Sequence, residues 1–443
     1  MYGKYLIYKY PIYTAFFYSL TLKTPCIQRK DPPRLFLLST LLHSLMEPFR
    51  NPSRFFIYFY LIIIFIIAIG YREIIVIKPK LSPFVKNQYA TTLEIKNQSQ
   101  ALVYRDKEEI CNIFDGRWVV GRDSGSGYGP GTCPFVEDRF NCFKYGRRDL
   151  DYVKWRWKPK DCDLQRIDGK KMLEMLRGKR LAFVGDSLNR NMWESLACIL
   201  GNSLENKTNI LQISGSDFKG ENTWAFVFSD YNCSIEFIQS WYLVEDFKVK
   251  NENRVEKVRL DLIKSNAHHY KDADAIVFNT GHWWTHDKTS QGKEFYHEGN
   301  SSYSQLSTEE ALSKAMRTWA HWVEAHIDIR RTRVFFRGYS SSHFGGGKWN
   351  EGGNCHGETI PVIYDKELVK APKLVEVVES VIEEMKSPVM YLNITRMTDY
   401  RKDGHPSKFQ PPEVKNQDCS HWCLPGIPDV WNEMLYAMLL RTL

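Results

Sequence analysis

The sequence predicts an α/β protein in which a mostly parallel sheet lies between two layers of helices. After residue 179, short apolar runs rich in β-branched and aromatic residues alternate with segments of helical character. Apolar runs of about four to eight residues are typical of strands buried on both faces. We therefore expect a three-layer α/β/α sandwich, with its ligand site at the carboxyl ends of the strands.

The individual elements follow from this alternation. The predicted strands span residues 181–185, 224–229, 275–281, 333–339 and 389–394. The predicted helices span residues 188–200, 309–329, 371–385 and 429–443. We expect one catalytic domain over residues 106–443, in which a Cys-rich part (106–178) precedes the α/β core (179–443).

One apolar segment ahead of this domain predicts a membrane anchor. Residues 55–71 carry no charge, and at about 1.5 Å per helical residue they would span roughly 26 Å, close to a thin bilayer. Before it, eight Lys and Arg residues stand against two acidic ones. We therefore expect a single-pass type II signal-anchor, with residues 1–54 as a cytosolic basic tail and the catalytic domain in the lumen.

Three further interpretations concern the N-terminal residues up to 105. A cleaved signal peptide is the alternative to the anchor, but the apolar run begins far from Met1. A start at Met46 would leave a short basic tail and make residues 1–45 an over-extended beginning. Residues 72–105 are polar and without periodicity, which predicts a lumenal stem.

The cysteines indicate an oxidising compartment. Nine of the ten cysteines follow the anchor, and Cys419 and Cys423 are the only close pair, so disulfides are expected and a zinc site is not. An odd number leaves one thiol free, for which we choose Cys233. Possible N-glycosylation triplets, which predict a glycoprotein, begin at Asn97, Asn206, Asn232, Asn300 and Asn393.

Charge and motif content exclude several other functions. The 60 basic residues are interspersed with 52 acidic ones, which argues against nucleic-acid binding. The glycine-rich stretch 121–131 lacks the Lys-Ser/Thr ending of a phosphate-binding loop and is expected to be a surface turn. His282 and His286 have a metal-compatible spacing, but we expect them to be structural. We predict no metal and no bound cofactor.

Ser187 is the first candidate for chemistry. The run LAFVGDS places it between an apolar strand and a helix, where N–H groups at the helix start stabilise an oxyanion. The alternative is that Asp186 and Ser187 only cap the helix. The second candidate is the pair Asp418 and His421, whose three-residue step allows the carboxylate to orient the imidazole. A serine needs such a base to become a nucleophile.

Several further motifs accompany these residues in order. They are residues 152–159 with Cys162, 185–191, 279–284, 335–337, 343–344 and 418–426. With these motifs the chain, from about Cys111 to its C-terminus, resembles the SGNH or GDSL esterase superfamily. It resembles more closely the plant trichome birefringence-like family of wall polysaccharide O-acetyltransferases. The resemblance implies an SGNH-hydrolase-like fold with a disulfide-tied N-terminal extension.

The resemblance also implies roles for individual residues. Ser187 would carry the acetyl group in a double displacement, His421 would act as base and acid, and Asp418 would orient it. Ser187, Arg190 and Asn279 would stabilise the oxyanion. The third block reads Asn-Thr-Gly-His where the hydrolases have Gly-x-Asn-Asp, which weakens the Asn279 assignment.

We name four residues as candidates for glycan contact: Trp283, Trp284, Arg337 and His343. Core packing is the alternative for the large aromatic residues, including Trp155, Trp157 and Trp349. Basic residues in the cleft would favour an acidic glycan; the alternative is that Lys154, Arg156, Arg337 and Arg401 are solvated or paired.

The resemblance further implies four disulfides: Cys111–Cys162, Cys133–Cys198, Cys142–Cys423 and Cys355–Cys419. We expect acetyl transfer to xylan or pectin in the Golgi membrane, from a donor that is acetyl-CoA or another carrier. The alternatives are a polysaccharide acetylesterase and a non-catalytic protein that binds or bridges wall glycans. The sequence identifies no protein partner.

Overall fold

The fold is described from a computed structural model of the chain. It describes residues 103–106, 109–121, 127–215, 219, 221–248 and 256–443. The predicted tail and anchor, and the stem up to residue 102, lie outside these ranges. Within them, no helix has both the length and the apolar character needed to cross a membrane.

Strands β1 to β15 span, in chain order, Val103–Asp106, Glu109–Asn112, Gly116–Val120, Trp155–Pro159, Arg180–Gly185, Ile210–Ser214, Thr223–Phe228, Cys233–Gln239, Val244–Lys248, Glu256–Ile263, Ala275–Phe278, Tyr296–Glu298, Ser301–Ser302, Arg333–Arg337 and Met390–Leu392. Helices α1 to α6 span Gly169–Met175, Ser187–Asn202, Thr308–His326, Lys373–Glu384, Thr395–Asp399 and Ile427–Thr442. All five predicted strands and all four predicted helices are present, with shifts of a few residues at their ends.

The central sheet has seven strands in the order β15-β14-β11-β5-β8-β7-β6. The first five run parallel, whereas β7 pairs antiparallel with both β8 and β6. The prediction of a mostly parallel sheet is therefore confirmed. Strand β5 lies in the middle of the sheet, so its carboxyl end is flanked by neighbours on both sides.

Both faces of the sheet are covered by helices. Side chains alternate along a strand, and in β5 Leu181 and Phe183 join one apolar core, whereas Ala182 and Val184 join the other. Helices α1, α2 and α6 contribute to the first core, and α3 and α4 contribute to the second. This is the three-layer α/β/α arrangement that the apolar strands predict.

The Cys-rich part packs against the α/β core through a two-stranded antiparallel sheet. Strands β3 and β4 pair antiparallel, and across them the rings of Trp118 and Trp157 meet edge to face with 5.7 Å between their centroids. The Trp118 indole N–H donates to the carbonyl oxygen of Met397 at 2.8 Å. These tryptophans therefore hold the N-terminal extension on the core and do not stack on sugars.

Candidate active site

Ser187 lies at the turn where β5 ends and α2 begins. Asp186 caps the helix, since its Oδ1 accepts the N–H of Leu188 at 2.9 Å. Gly185 has φ of 155°, and a Cβ at this position would lie 2.0 Å from Oδ1 of Asn279. Only glycine permits this approach of the two strand ends. The capping role thus belongs to Asp186, and the Ser187 hydroxyl is left to contact His421.

His421 joins Ser187 to Asp418. Its Nε2 lies 2.6 Å from the Ser187 hydroxyl oxygen, and its Nδ1 lies 2.6 Å from Oδ2 of Asp418. The other carboxylate oxygen of Asp418 accepts the backbone N–H groups of Ser420 and His421, each at 3.0 Å. The predicted Asp-x-x-His turn forms as expected, and the three side chains stand in one line.

The charge of Asp418 fixes the tautomer of His421. Burial raises the pKa of Asp418, but the neighbouring His421 and the two backbone N–H donors outweigh burial and hold this pKa well below the ordinary carboxyl value. An ionised carboxylate accepts the proton on Nδ1, which leaves the lone pair of Nε2 directed at the serine hydroxyl. This is the arrangement that a general base requires.

The loop that carries His421 is fastened to the helix that carries Ser187. The side chain of Asn191, one turn along α2, accepts the backbone N–H of Trp422 at 2.9 Å and donates to its carbonyl oxygen at 3.1 Å. Sequence reasoning gave Asn191 no role, because its partner is remote along the chain. The Trp422 indole N–H donates to Ser340 at 2.8 Å, which fixes the loop to the core as well.

Four disulfides brace the domain, and their pairing is the one that the resemblance implied. They are Cys111–Cys162, Cys133–Cys198, Cys142–Cys423 and Cys355–Cys419. The last two hold both sides of the His421 loop. Cys233 is free and buried, as expected, and burial raises the pKa of its thiol to about 12.

The structure does not support the predicted oxyanion contacts of Asn279 and Arg190. Asn279 is buried and bonded to Asp186, accepting its backbone N–H at 3.1 Å and donating to its Oδ1 at 2.7 Å. Arg190 forms ion pairs with Glu137 at 3.2 Å and Glu194 at 3.0 Å. Both side chains are therefore already engaged by partners within the protein.

Three of the four residues named for glycan contact are occupied inside the protein. Arg337 is 1% exposed and lies 3.9 Å from the buried Asp186 carboxylate. Trp284 is 2% exposed and donates its indole N–H to Thr280. His343 hydrogen bonds to a second histidine, His405. The assignment of Arg337 and Trp284 to glycan contact is therefore wrong, because both are buried. His343 is partly exposed, and its contact with glycan stays a prediction.

Trp283, the fourth residue named for glycan contact, is neither fully buried nor part of the cavity wall. Its ring stacks on Trp241 with 4.2 Å between centroids and is partly exposed. The ammonium group of Lys288 lies 4.6 Å from the Trp283 ring and 5.7 Å from the ring of Trp349. Lys288 and Trp349 both line the cavity above Ser187, whereas Trp283 supports Lys288 from beneath.

This cavity has a volume of 1020 Å³, at the upper end of what ligand sites occupy. Its wall includes Ser187, Asp418 and His421, together with a mixture of cations, carboxylates and aromatic rings. These further residues include Glu137, Asp138, Arg139, His282, His286, Asp287, Lys288, Tyr339, Lys348, Trp349 and Glu413. A cavity of this size, lined by both charged and aromatic residues, can hold a polymer segment beside the serine.

Sequence reasoning did not single out Lys288 as part of the site. It belongs to the segment 285–289, which follows the recognised block 279–284 and shows no periodicity. Burial lowers the pKa of Lys288, and its Nζ donates to the carbonyl oxygen of His282 at 2.9 Å. Its position so soon after that block is the one signal that the sequence offered.

A nucleophile elbow after the central strand of a parallel sheet, with an Asp-x-x-His turn facing it, defines the class of SGNH-like α/β acyl-esterases. The sequence pattern of the PC-Esterase family, a GDSL/SGNH-like acyl-esterase family found in Pmr5 and Cas1p, matches residues 164–438. The pattern of the PMR5 N-terminal domain matches residues 109–163.

Individual relatives narrow this class. Protein trichome birefringence of Arabidopsis thaliana is 51% identical over 359 residues, which cover 78% of this chain and 58% of that protein. Protein trichome birefringence-like 4 of the same plant is 54% identical over 344 residues, covering 74% of this chain and 75% of that protein. The chain belongs to the trichome birefringence-like family. It spans little more than half the length of the first of these relatives.

Proposed function

We propose that this chain transfers acetyl groups to hydroxyl groups of a plant wall polysaccharide through an acetyl-serine on Ser187. The observation that carries the proposal is the line from Asp418 through His421 to the Ser187 hydroxyl, with 2.6 Å at each step, in the wall of a large cavity. Membership of an acyl-esterase-like family supports the same chemistry.

The reaction follows from the protonation states. Nε2 of His421 takes the proton of Ser187 while the serine oxygen attacks the acetyl carbonyl, and the donor leaves with that proton. An acceptor hydroxyl then gives its proton to Nε2 and attacks the acetyl-serine, after which His421 returns the proton to the serine oxygen. The backbone N–H of Ser187, at the start of α2, is the proposed oxyanion donor.

The acceptor and donor are proposed more broadly. Xylan and pectin are the proposed acceptors, and Lys288 in the cavity wall favours the acidic one. Acetyl-CoA or another acyl carrier is the proposed donor. We further propose a type II Golgi membrane protein with a lumenal domain, which four disulfides support, since disulfides persist in oxidising compartments.

A polysaccharide acetylesterase is the second candidate. The side chain of His421 is 18% exposed within the cavity, so water has a path to an acyl-serine. The same three residues would then hydrolyse the intermediate. What decides between the two is the group that reaches the acetyl-serine first.

The test incubates the full chain with a labelled acetyl donor and with xylan or pectin oligosaccharides. Labelled oligosaccharide formed by the unaltered chain and lost in Ser187→Ala supports transfer. Ser342→Ala is the matched control, because this cavity-lining serine bonds to Ser420 and not to His421. Acetate released without labelled oligosaccharide would establish the esterase instead. Glycan binding without any turnover would establish the bridging role.

A further inference from the structure

Two histidines form a hydrogen-bonded row behind the loop that carries His421. Nδ1 of His405 lies 2.6 Å from the backbone carbonyl oxygen of His421, and Nε2 of His405 lies 2.7 Å from Nδ1 of His343. Nε2 of His343 lies 2.9 Å from the backbone carbonyl oxygen of Asp399. Three contacts thus connect two carbonyl groups through two imidazole rings.

Counting protons shows what this row requires. A carbonyl oxygen only accepts, so Nδ1 of His405 and Nε2 of His343 must each carry a proton. The contact between the two rings requires a third proton, because two bare nitrogen lone pairs repel each other. Two neutral imidazoles carry only two ring protons in total. All three hydrogen bonds therefore exist only when the pair holds one additional proton, shared as a single positive charge.

The surroundings make this proton easy to lose. His405 is 2% exposed and stacks on the Trp422 indole with 4.1 Å between centroids. Burial, and then repulsion from His343, hold the pKa of His405 well below the ordinary histidine value, and burial also lowers the pKa of His343. The charged pair is accordingly the acidic form, and it loses its proton as the pH rises through a value below the ordinary histidine range.

Charged groups approach the pair from several segments. A carboxylate oxygen of Asp399 lies 3.7 Å from Nε2 of His343, and Arg147 donates to the backbone carbonyl oxygen of His405 at 3.0 Å. The other titratable groups facing the rings are Glu358, Asp403, Asp418 and His421. The carboxylates favour the charged pair, whereas a protonated His421 would oppose it.

The row acts on the backbone of the catalytic loop. Besides the contact of His405 with the His421 carbonyl, the backbone N–H of His343 donates to the carbonyl oxygen of Cys419 at 3.0 Å. The pair is therefore attached on both sides of Ser420, between Asp418 and the base. Loss of one ring contact would loosen the backbone that holds the imidazole of His421 over Ser187.

We propose that His343 and His405 are positioning residues that hold His421 in line with Ser187 while they share one additional proton. The inference rests on the proposed role of His421 as base. The pair would then regulate the acetyl chemistry through pH. Activity is higher at the pH values at which the pair holds the additional proton, and it falls at higher pH, where that proton is lost.

The first test measures kcat for hydrolysis of 4-nitrophenyl acetate by the full chain across pH. We expect kcat to fall at least about threefold as the pair loses its proton. In His343→Gln the amide N–H serves the Asp399 carbonyl without titrating, and a neutral His405 keeps its bond to His421. That variant should lose the alkaline fall with KM unchanged, whereas the control His326→Gln, on the outside of α3, should keep it. The same fall in His343→Gln as in the unaltered chain would overturn the proposal.

The second test counts the protons directly and needs no turnover. The full chain is labelled with ¹⁵N at its histidine rings, and the ring shifts of His343 and His405 are followed by NMR over the same pH range. We expect three ring protons to become two as kcat falls. Two neutral rings throughout the active range would refute the proposal, even if His343→Gln fails to fold. If the chain does not transfer acetyl groups, the proposed function is wrong. The NMR measurement would still determine how many ring protons His343 and His405 hold.

Discussion

Nε2 of His421 lies 2.6 Å from the hydroxyl oxygen of Ser187, although 234 positions separate the two residues along the chain. Ser187 is held by the central strand and the helix after it, and His421 by a loop tied to that helix through Asn191. Because this loop and this helix are hydrogen bonded to each other directly, the distance between the His421 base and the Ser187 nucleophile depends on few other contacts.

Asp418→Asn should lower kcat by roughly ten-thousandfold with an activated acetyl ester, as in other serine triads that lose their carboxylate. The neutral amide cannot hold the Nδ1–H tautomer or stabilise the imidazolium. Circular dichroism checks that the fold is retained. Asp287→Asn is the matched control, because Asp287 lines the same cavity without contacting His421. A loss of less than about tenfold in Asp418→Asn would count against the orienting role.

Arg337→Met should lower the free energy of unfolding by about 3–5 kcal/mol, because the buried carboxylate of Asp186 would lose its cationic neighbour. Denaturant titration measures this change. Adding Asp186→Asn should recover part of the loss, since asparagine still caps a helix and carries no charge. A rise in KM with unchanged stability would instead restore Arg337 as a substrate-binding residue.

Removal of the Cys142–Cys423 disulfide by two serine substitutions should destabilise the chain more than removal of Cys111–Cys162. The two bridges close loops with sequence separations of 281 and 51, and the loop-entropy relation gives the longer one an advantage of about 1.5 kcal/mol. Thermal unfolding of the two double variants under identical conditions provides the comparison. Equal losses would show that chain entropy does not govern these bridges.

Lys288→Gln should raise KM for pectin oligosaccharides about tenfold and leave KM for neutral xylan oligosaccharides nearly unchanged. Lys288 bonds to a carbonyl oxygen and lies over aromatic rings. The matched control is Lys348→Gln, because Lys348 lines the same cavity but is in ion pairs with Asp287 and Glu351. An equal effect on both glycans would remove the argument for an acidic acceptor.

The sequence predicted β5, β11, β14 and β15, four of the five parallel strands, because they are short apolar runs. It did not predict the fifth, β8, whose sequence CSIEFIQ has a glutamate in its middle. It did not predict the four-stranded sheet formed by β9, β10, β12 and β13. In β10 the sequence EKVRLDLI mixes charged and apolar residues, and β12 and β13 have only three and two residues. Such short or mixed strands are defined by their pairing, which local sequence does not reveal.

The residues of the candidate site likewise include some that local sequence patterns predict and others that they do not. Ser187, Asp418 and His421 were predictable, because a strand-to-helix turn and a three-residue step are local patterns. The residues wrongly given functional contacts, such as Arg190 and Arg337, were misread because their acidic partners Glu137 and Asp186 are remote in the sequence. Burial and pairing are properties of the folded chain, so a basic or aromatic residue near a motif does not by itself indicate contact with substrate.

The most direct test of the central claim is to look for the acetyl group on Ser187. The full chain is incubated with an activated acetyl ester, quenched in acid and digested, and the peptide carrying Ser187 is examined by mass spectrometry. We expect an acetyl group on Ser187 in the unaltered chain, and at least about a hundredfold slower formation in His421→Ala. Acetylated product formed while Ser187 stays unmodified, or formed at full rate by His421→Ala, would contradict the account.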